Sequence, residues 1–222
     1  VREVIHMKKK LLGLLVVVLL LSAGAFAEVI YSQDFEDNKM PDDFLVVEGS
    51  WRVVNGQLIG ESPNSSVQGR VVFGPVMDSF VYTVDVTILN VVESTRWFSI
   101  FFRSTEDGSA PYHMFTIRQG ASAHNGTELA FRHPQGYWDV RRTKPYERDF
   151  GFRETFTLTV AVDGDLFLYF INGELQFAAY ENGYRDEGIF GLHVNGCRVA
   201  FDNIKIEKYE HSKFRQYERE AY

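Results

Sequence analysis

The binding chemistry of this 222-residue chain is concentrated in nine residues, Trp97, Arg103, Tyr112, Arg118, Glu128, Arg132, Tyr137, Asp139 and Arg141. They fall in four short runs, 96–103, 112–118, 128–132 and 137–142, whose apolar and polar residues alternate with the two-residue period of strands. In that period Phe98, Ile100 and Phe102, then His113, Phe115 and Ile117, then Leu129 and Phe131, then Trp138 and Val140 turn towards a core. The opposite set is Trp97, Ser99, Phe101 and Arg103, then Tyr112, Thr116 and Arg118, then Glu128 and Arg132, then Tyr137, Asp139 and Arg141. Side chains of one parity share a sheet face. Neighbouring strands would thus place aromatic rings, guanidinium groups and carboxylates on one surface. Such a mixture suits sugars, whose C–H faces stack on flat rings while planar donors and acceptors meet the hydroxyls. Four arginines there also suit a carboxylated or sulfated glycan, because a guanidinium fork matches an oxyanion bidentately. The same residues allow a solvated face laced with cross-strand ion pairs. Trp97 and Phe101 weigh against it, since large aromatics left in water invite a cover.

The elements that would hold this surface are strands. Residues 154–180 read ETFTLTVAVDGDLFLYFINGELQFAAY, three alternating runs separated by Asp163-Gly164 and Asn172-Gly173. These dipeptides supply the positive φ angles of tight primed turns and predict two consecutive antiparallel hairpins. Asn55-Gly56 predicts another within 46–60. In residues 80–90 Phe80, Tyr82, Val84, Val86 and Ile88 face one way and Val81, Thr83, Asp85, Thr87 and Leu89 the other. Two last strands are expected at 188–194 and 198–208. Short strands with frequent turn signals and no helical period predict an all-β fold of two packed antiparallel sheets. No internal repeat of fixed period stands out, which argues against a propeller or solenoid.

Lys8-Lys9-Lys10, an apolar run over 11–21 and Ala25-Phe26-Ala27 together read as a signal peptide over residues 1–27, cut before Glu28. The apolar run is shorter than the roughly 20 residues of a spanning helix. A periplasmic or secreted location follows, with no membrane partner after cleavage. Residues 28–208 are expected to form one domain and 209–222 a charged C-terminal tail. Residues 1–27 hold four of the basic and one of the acidic residues, so the net charge falls from −7 to −10 without them. That balance disfavours nucleic acid as a partner. Cys197 is the only cysteine, so no internal disulfide can form and stability rests on a core.

The pieces QDFED with GSWRVVNGQLIG, then WFSIFFRS, then VAVDGDLFLYFING, then GIFGLHV with VAFDNIKI resemble, in that order, the concanavalin-A-like, laminin-G-like jelly-roll domains of secreted bacterial proteins. The same order is similar to the family labelled 3-keto-disaccharide hydrolase and to non-catalytic carbohydrate-binding modules. The resemblance implies a two-sheet antiparallel jelly-roll sandwich with a curved face, and a polysaccharide or oligosaccharide as partner. It also implies a structural calcium ion on Asp202, with oxygens from Asp34, Glu36 and Asp37, the hard donors that Ca²⁺ selects. Phe201, Ile204 and Ile206 cannot share one face without a bulge at Asp202-Asn203. Asp202 capping backbone N–H groups at that bulge is the other reading.

No spaced His or Cys set suits zinc, and His113 is expected as a hydrogen-bonded core residue. The E-x-D-x-E strand of family 16 glycoside hydrolases and the Q-x-H strand of alginate lyases have no counterpart here, and residues 120–124 make a poor nucleophile elbow. No catalytic residue is assigned. The reading is a carbohydrate-binding sandwich; the alternatives are a glycoside hydrolase or polysaccharide lyase using scattered groups such as Glu128, Asp139 and Tyr137, and a structural envelope domain that meets a protein.

Overall fold

The computed structural model describes residues 27–92, 96–118, 126–145, 152–181 and 185–221. The leader up to residue 26 and the 120–124 segment lie outside the described residues. Among the described residues fifteen strands form, all paired antiparallel. The first eight are β1 (Val29–Gln33), β2 (Leu45–Glu48), β3 (Ser50–Val54), β4 (Gln57–Glu61), β5 (Gln68–Met77), β6 (Phe80–Val91), β7 (Trp97–Ser104) and β8 (Tyr112–Arg118). The remainder are β9 (Gly126–Arg132), β10 (Trp138–Pro145), β11 (Thr155–Asp163), β12 (Leu166–Ile171), β13 (Glu174–Tyr180), β14 (Gly188–Asn195) and β15 (Cys197–Glu207). An eight-stranded sheet runs β13-β12-β11-β6-β15-β4-β3, with β1 beside β15, and a seven-stranded sheet runs β10-β9-β8-β7-β14-β5-β2. The expected all-β, two-sheet jelly-roll sandwich is the observed fold.

Local sequence explains the parts that were foreseen. Asn55-Gly56 and Asn172-Gly173 all sit at positive φ (52° and 71°, 50° and 79°), the pair of angles that a primed two-residue turn demands. In β6 the predicted inward set is buried against Phe102, Phe115 and Leu129 of the other sheet. Phe80, Phe102 and Phe190 meet edge-on within this interior, at centroid separations of 5.6 and 4.7 Å from Phe80. The β15 register slips between Asp202 and Lys205, so the inferred bulge is present, with Asn203 at φ 48°. Burial pushes the Cys197 thiol up to about 12, which leaves it an apolar filler of this core.

Three expectations change. Strand β5 was not foreseen, because Gly69, Gly74 and Pro75 interrupt its period. In β10 the parity is reversed. Trp138 pairs with Arg132 and Val140 with Ala130, and opposed residues share a face, so both apolar side chains leave the core for the outer face. Asp139, opposite core-facing Phe131, turns inward. His113 is buried in the core as expected, but neither ring nitrogen has a hydrogen-bond partner among the described residues; the ring is packed by Phe102, Phe131 and Phe167. The charged tail forms a short helix, α1 (His211–Phe214), and a 3-10 turn (Arg215–Ala221). Tyr209, Phe214, Tyr217 and Ala221 cover Leu168 and Phe170 on the outer face of the eight-stranded sheet.

Candidate functional site

The outer face of the seven-stranded sheet is built in rows, each residue directly opposite the next. One row runs Arg70, His193, Ser99, Thr116, Glu128 across β5, β14, β7, β8 and β9. A second runs Gly191, Phe101, Met114, Ala130, Val140. Asn195, Trp97 and Arg118 form a third, and Tyr112, Arg132 and Trp138 a fourth. The second row makes an apolar floor. Phe101 lies flat on β14 at Gly191, where an added Cβ would sit 2.1 Å from its ring, so glycine is what lets the ring lie down.

Trp97 and Trp138 stand at right angles over this floor, with centroids 5.8 Å apart and planes at 78°. Both indoles line a cleft of about 120 Å³, whose polar wall is Thr116, Glu128 and Arg118. Glu128 is only 4% exposed and is paired with Arg118 at 3.2 Å. Thr116 is 3% exposed and its hydroxyl has no hydrogen-bond partner among the described residues; the same holds for the Ser99 hydroxyl opposite it. A buried hydroxyl without a partner costs about 1–3 kcal/mol, and such groups in native proteins mark the place of a water or a ligand.

Beside the cleft, the Arg70 guanidinium binds the carbonyl oxygen of Gly108 (3.1 Å), the Tyr112 hydroxyl (3.5 Å) and the Glu48 carboxylate (3.5 Å). His193 is 0% exposed beneath Trp97, with ring centroids 4.5 Å apart and Nε2 3.1 Å from the Gln68 side-chain oxygen. Burial, then Arg70 and Arg132, hold its pKa well below the usual imidazole value, so it is a neutral support. Arg132 lies 4.3 Å over the Trp138 ring and fixes that indole from its side.

Of the nine residues singled out in the sequence, the structure brings Trp97, Arg118 and Glu128 together in the cleft, with Arg132 at its edge. Tyr112 is on the same face but 1% exposed, packed on Phe101. Arg103, Asp139 and Arg141 belong elsewhere. Arg103 sits at φ 56° where the β7–β14 register slips, and its guanidinium donates to the carbonyls of Asp78 (2.9 Å) and Gly164 (2.8 Å). It stacks on core residue Phe167, and burial lowers its pKa. Arg141 is held by Glu181 and Asp139 over Phe131, at the sandwich edge, and Tyr137 stacks on His133 there at 4.0 Å. Sequence reasoning missed Trp138, Arg70 and His193. The first had a signal: a five-residue 133–137 connection makes 132 and 138 partners, and the outward assignment of Arg132 then carries Trp138 with it.

The four aspartates and glutamates considered for calcium divide. Asp34 lines an open groove of about 380 Å³ with Asp85, Asn203 and Lys205, on the outer face of the other sheet. Asp202 caps the Asn203 N–H at 2.7 Å; burial raises its pKa, and nearby Asp85 and Asp34 add to this against lowering hydrogen bonds from Asn203 and Gln57. Glu36 lies against Gly56, and Asp37 accepts the Lys39 N–H at 3.0 Å. Among the described residues no group of three or more His, Cys, Asp or Glu is placed to hold a metal ion.

The fold is thus that of the concanavalin-A-like jelly rolls. No family model matches the chain, and no curated protein sequence matches it. Among solved structures it is similar to carbohydrate-binding module CBM66 from Bacillus subtilis, at 20% identity and TM-score 0.63, over 77% of this chain and 99% of that one. It is also similar to the Emp47p carbohydrate recognition domain (13%, TM-score 0.61, 85% and 100%) and to the Bacillus licheniformis β-glucanase (11%, TM-score 0.61, 81% and 98%).

Proposed function

We propose that this chain is an exported carbohydrate-binding domain that takes a sugar ring into the cleft that Trp97 and Trp138 line. The observation that carries the reading is the buried, unpartnered Thr116 hydroxyl beside the Glu128–Arg118 pair, walled by two indoles: a ligand with apolar faces and polar edges would complete both. The solved structures with this fold include a carbohydrate-binding module and a carbohydrate recognition domain, which supports the same class. Binding is favoured over turnover because the described lining of the cleft holds one carboxylate, Glu128, already paired with Arg118, whereas glycoside hydrolysis works through two. Export rests on the leader-like residues 1–27, and N-terminal sequencing of the protein recovered outside the cytoplasm should begin at Glu28.

The test is binding to immobilised polysaccharides and an oligosaccharide array, repeated with Trp138→Ala and Thr116→Val. Loss of a stacked indole is expected to weaken binding by about tenfold or more, and loss of the hydroxyl by roughly three- to tenfold, with the fold retained. Retention of no glycan, or full binding by Trp138→Ala, would sink the assignment.

A further inference from the structure

The cleft is electrostatically closed in a way that its arginine content conceals. Arg118 is the guanidinium that lines it, and it is occupied by Glu128 at 3.2 Å. Arg70 is tied to Glu48, the Gly108 carbonyl and the Tyr112 hydroxyl, while Arg132 stacks on Trp138; neither lines the cleft. Arg103 and Arg141, which the sequence placed on this face, are turned to the core and the sandwich edge. What remains inside is a nearly buried carboxylate balanced by one cation, one hydroxyl-bearing residue, Thr116, and apolar surface. A ligand carboxylate or sulfate entering about 120 Å³ would meet Glu128 at short range in a poorly solvated space, where like charges repel strongly. A neutral diol meets no such opposition: the carboxylate accepts a hydrogen bond from one hydroxyl and the guanidinium donates one to the neighbouring oxygen.

From this we infer, resting on the carbohydrate-binding reading above, that the site selects an uncharged saccharide: the Arg118–Glu128 pair reads adjacent hydroxyls, Thr116 meets the ring's polar edge, and glycans carrying uronate or sulfate at the bound unit are rejected.

The wild-type protein is screened against neutral homopolymers (glucans, mannans, galactans, fructans) and against uronate-containing and sulfated polysaccharides, each at low and high sodium chloride. Bound neutral glycans whose affinity moves by less than about twofold with salt support the inference, since no net charge is exchanged. The screen is repeated with Glu128→Gln, whose fold is checked by its thermal midpoint. Removing the negative charge should raise binding of the charged glycans relative to the neutral ones by at least about threefold, because the repulsion is gone and Arg118 is left free to meet an anion. Preferential binding of charged glycans that falls as salt rises overturns this inference and leaves the carbohydrate-binding reading standing. Binding of nothing in the screen overturns both.

Discussion

The same imidazole chemistry does different work at two positions in this sandwich. His193 supports the cleft floor through Gln68, whereas His113 is boxed by Phe102, Phe131 and Phe167 with both nitrogens bare. Burial, then the nearby charges of Arg103 and Arg141, lower the His113 pKa to about 3. The folded state therefore refuses a proton that the unfolded chain accepts from about pH 6.5 downward. Between about pH 6.5 and 3 the unfolded state binds more protons, so stability must fall with pH there, by up to about 1.4 kcal/mol per pH unit for this one group. Urea midpoints measured from pH 7 to pH 4 should fall, and His113→Phe should flatten that fall; a wild-type midpoint independent of pH would contradict the assignment of a neutral core histidine. Arg103 is the other residue whose role inverts its sequence reading. It joins the β5–β6 and β11–β12 turns through two carbonyls, each charge-assisted bond being worth about 1.5–3 kcal/mol, so Arg103→Met should lower stability by about 3 kcal/mol while leaving glycan binding intact. Loss of binding at unchanged stability would return it to the site.

At the scale of strands, what was legible in the sequence was whatever depended on strict alternation or on turn chemistry. The β11–β12–β13 double hairpin, the β6 faces, the β15 bulge and the parity of β8 and β9 follow from residue type alone. The misreadings have physical causes. In β5 the glycines and proline hide the period, and with it Arg70. In β7 a non-glycine residue at positive φ ends the alternation one position early, so Arg103 swings inward. In β10 the apolar character of Trp138 and Val140 points to a core, but pairing with β9 decides the face, and the strand bulges again between Val140 and Arg142. The candidate site was therefore visible as Trp97, Arg118 and Glu128, while its second wall and its charge balance depend on strand register that no single run of residues encodes.

Over the whole molecule, the two outer faces are used differently. The tail seals the apolar half of the eight-stranded sheet through Phe214 and Tyr217 against Phe170, at 6.1 and 5.1 Å. The seven-stranded sheet keeps an apolar floor, two indoles and the Glu128–Arg118 pair around an open cleft. The three tryptophans of the chain report on this division. Trp97 and Trp138 wall the cleft, and Trp51 packs on the core near Phe201 with its indole N–H donated to the Glu48 carbonyl at 3.1 Å. Titrating a bound neutral oligosaccharide while recording the indole N–H resonances tests the central claim directly. The Trp97 and Trp138 signals should shift together along one binding curve while Trp51 stays still. Saturation of the protein with glycan and no movement of either cleft indole would contradict it.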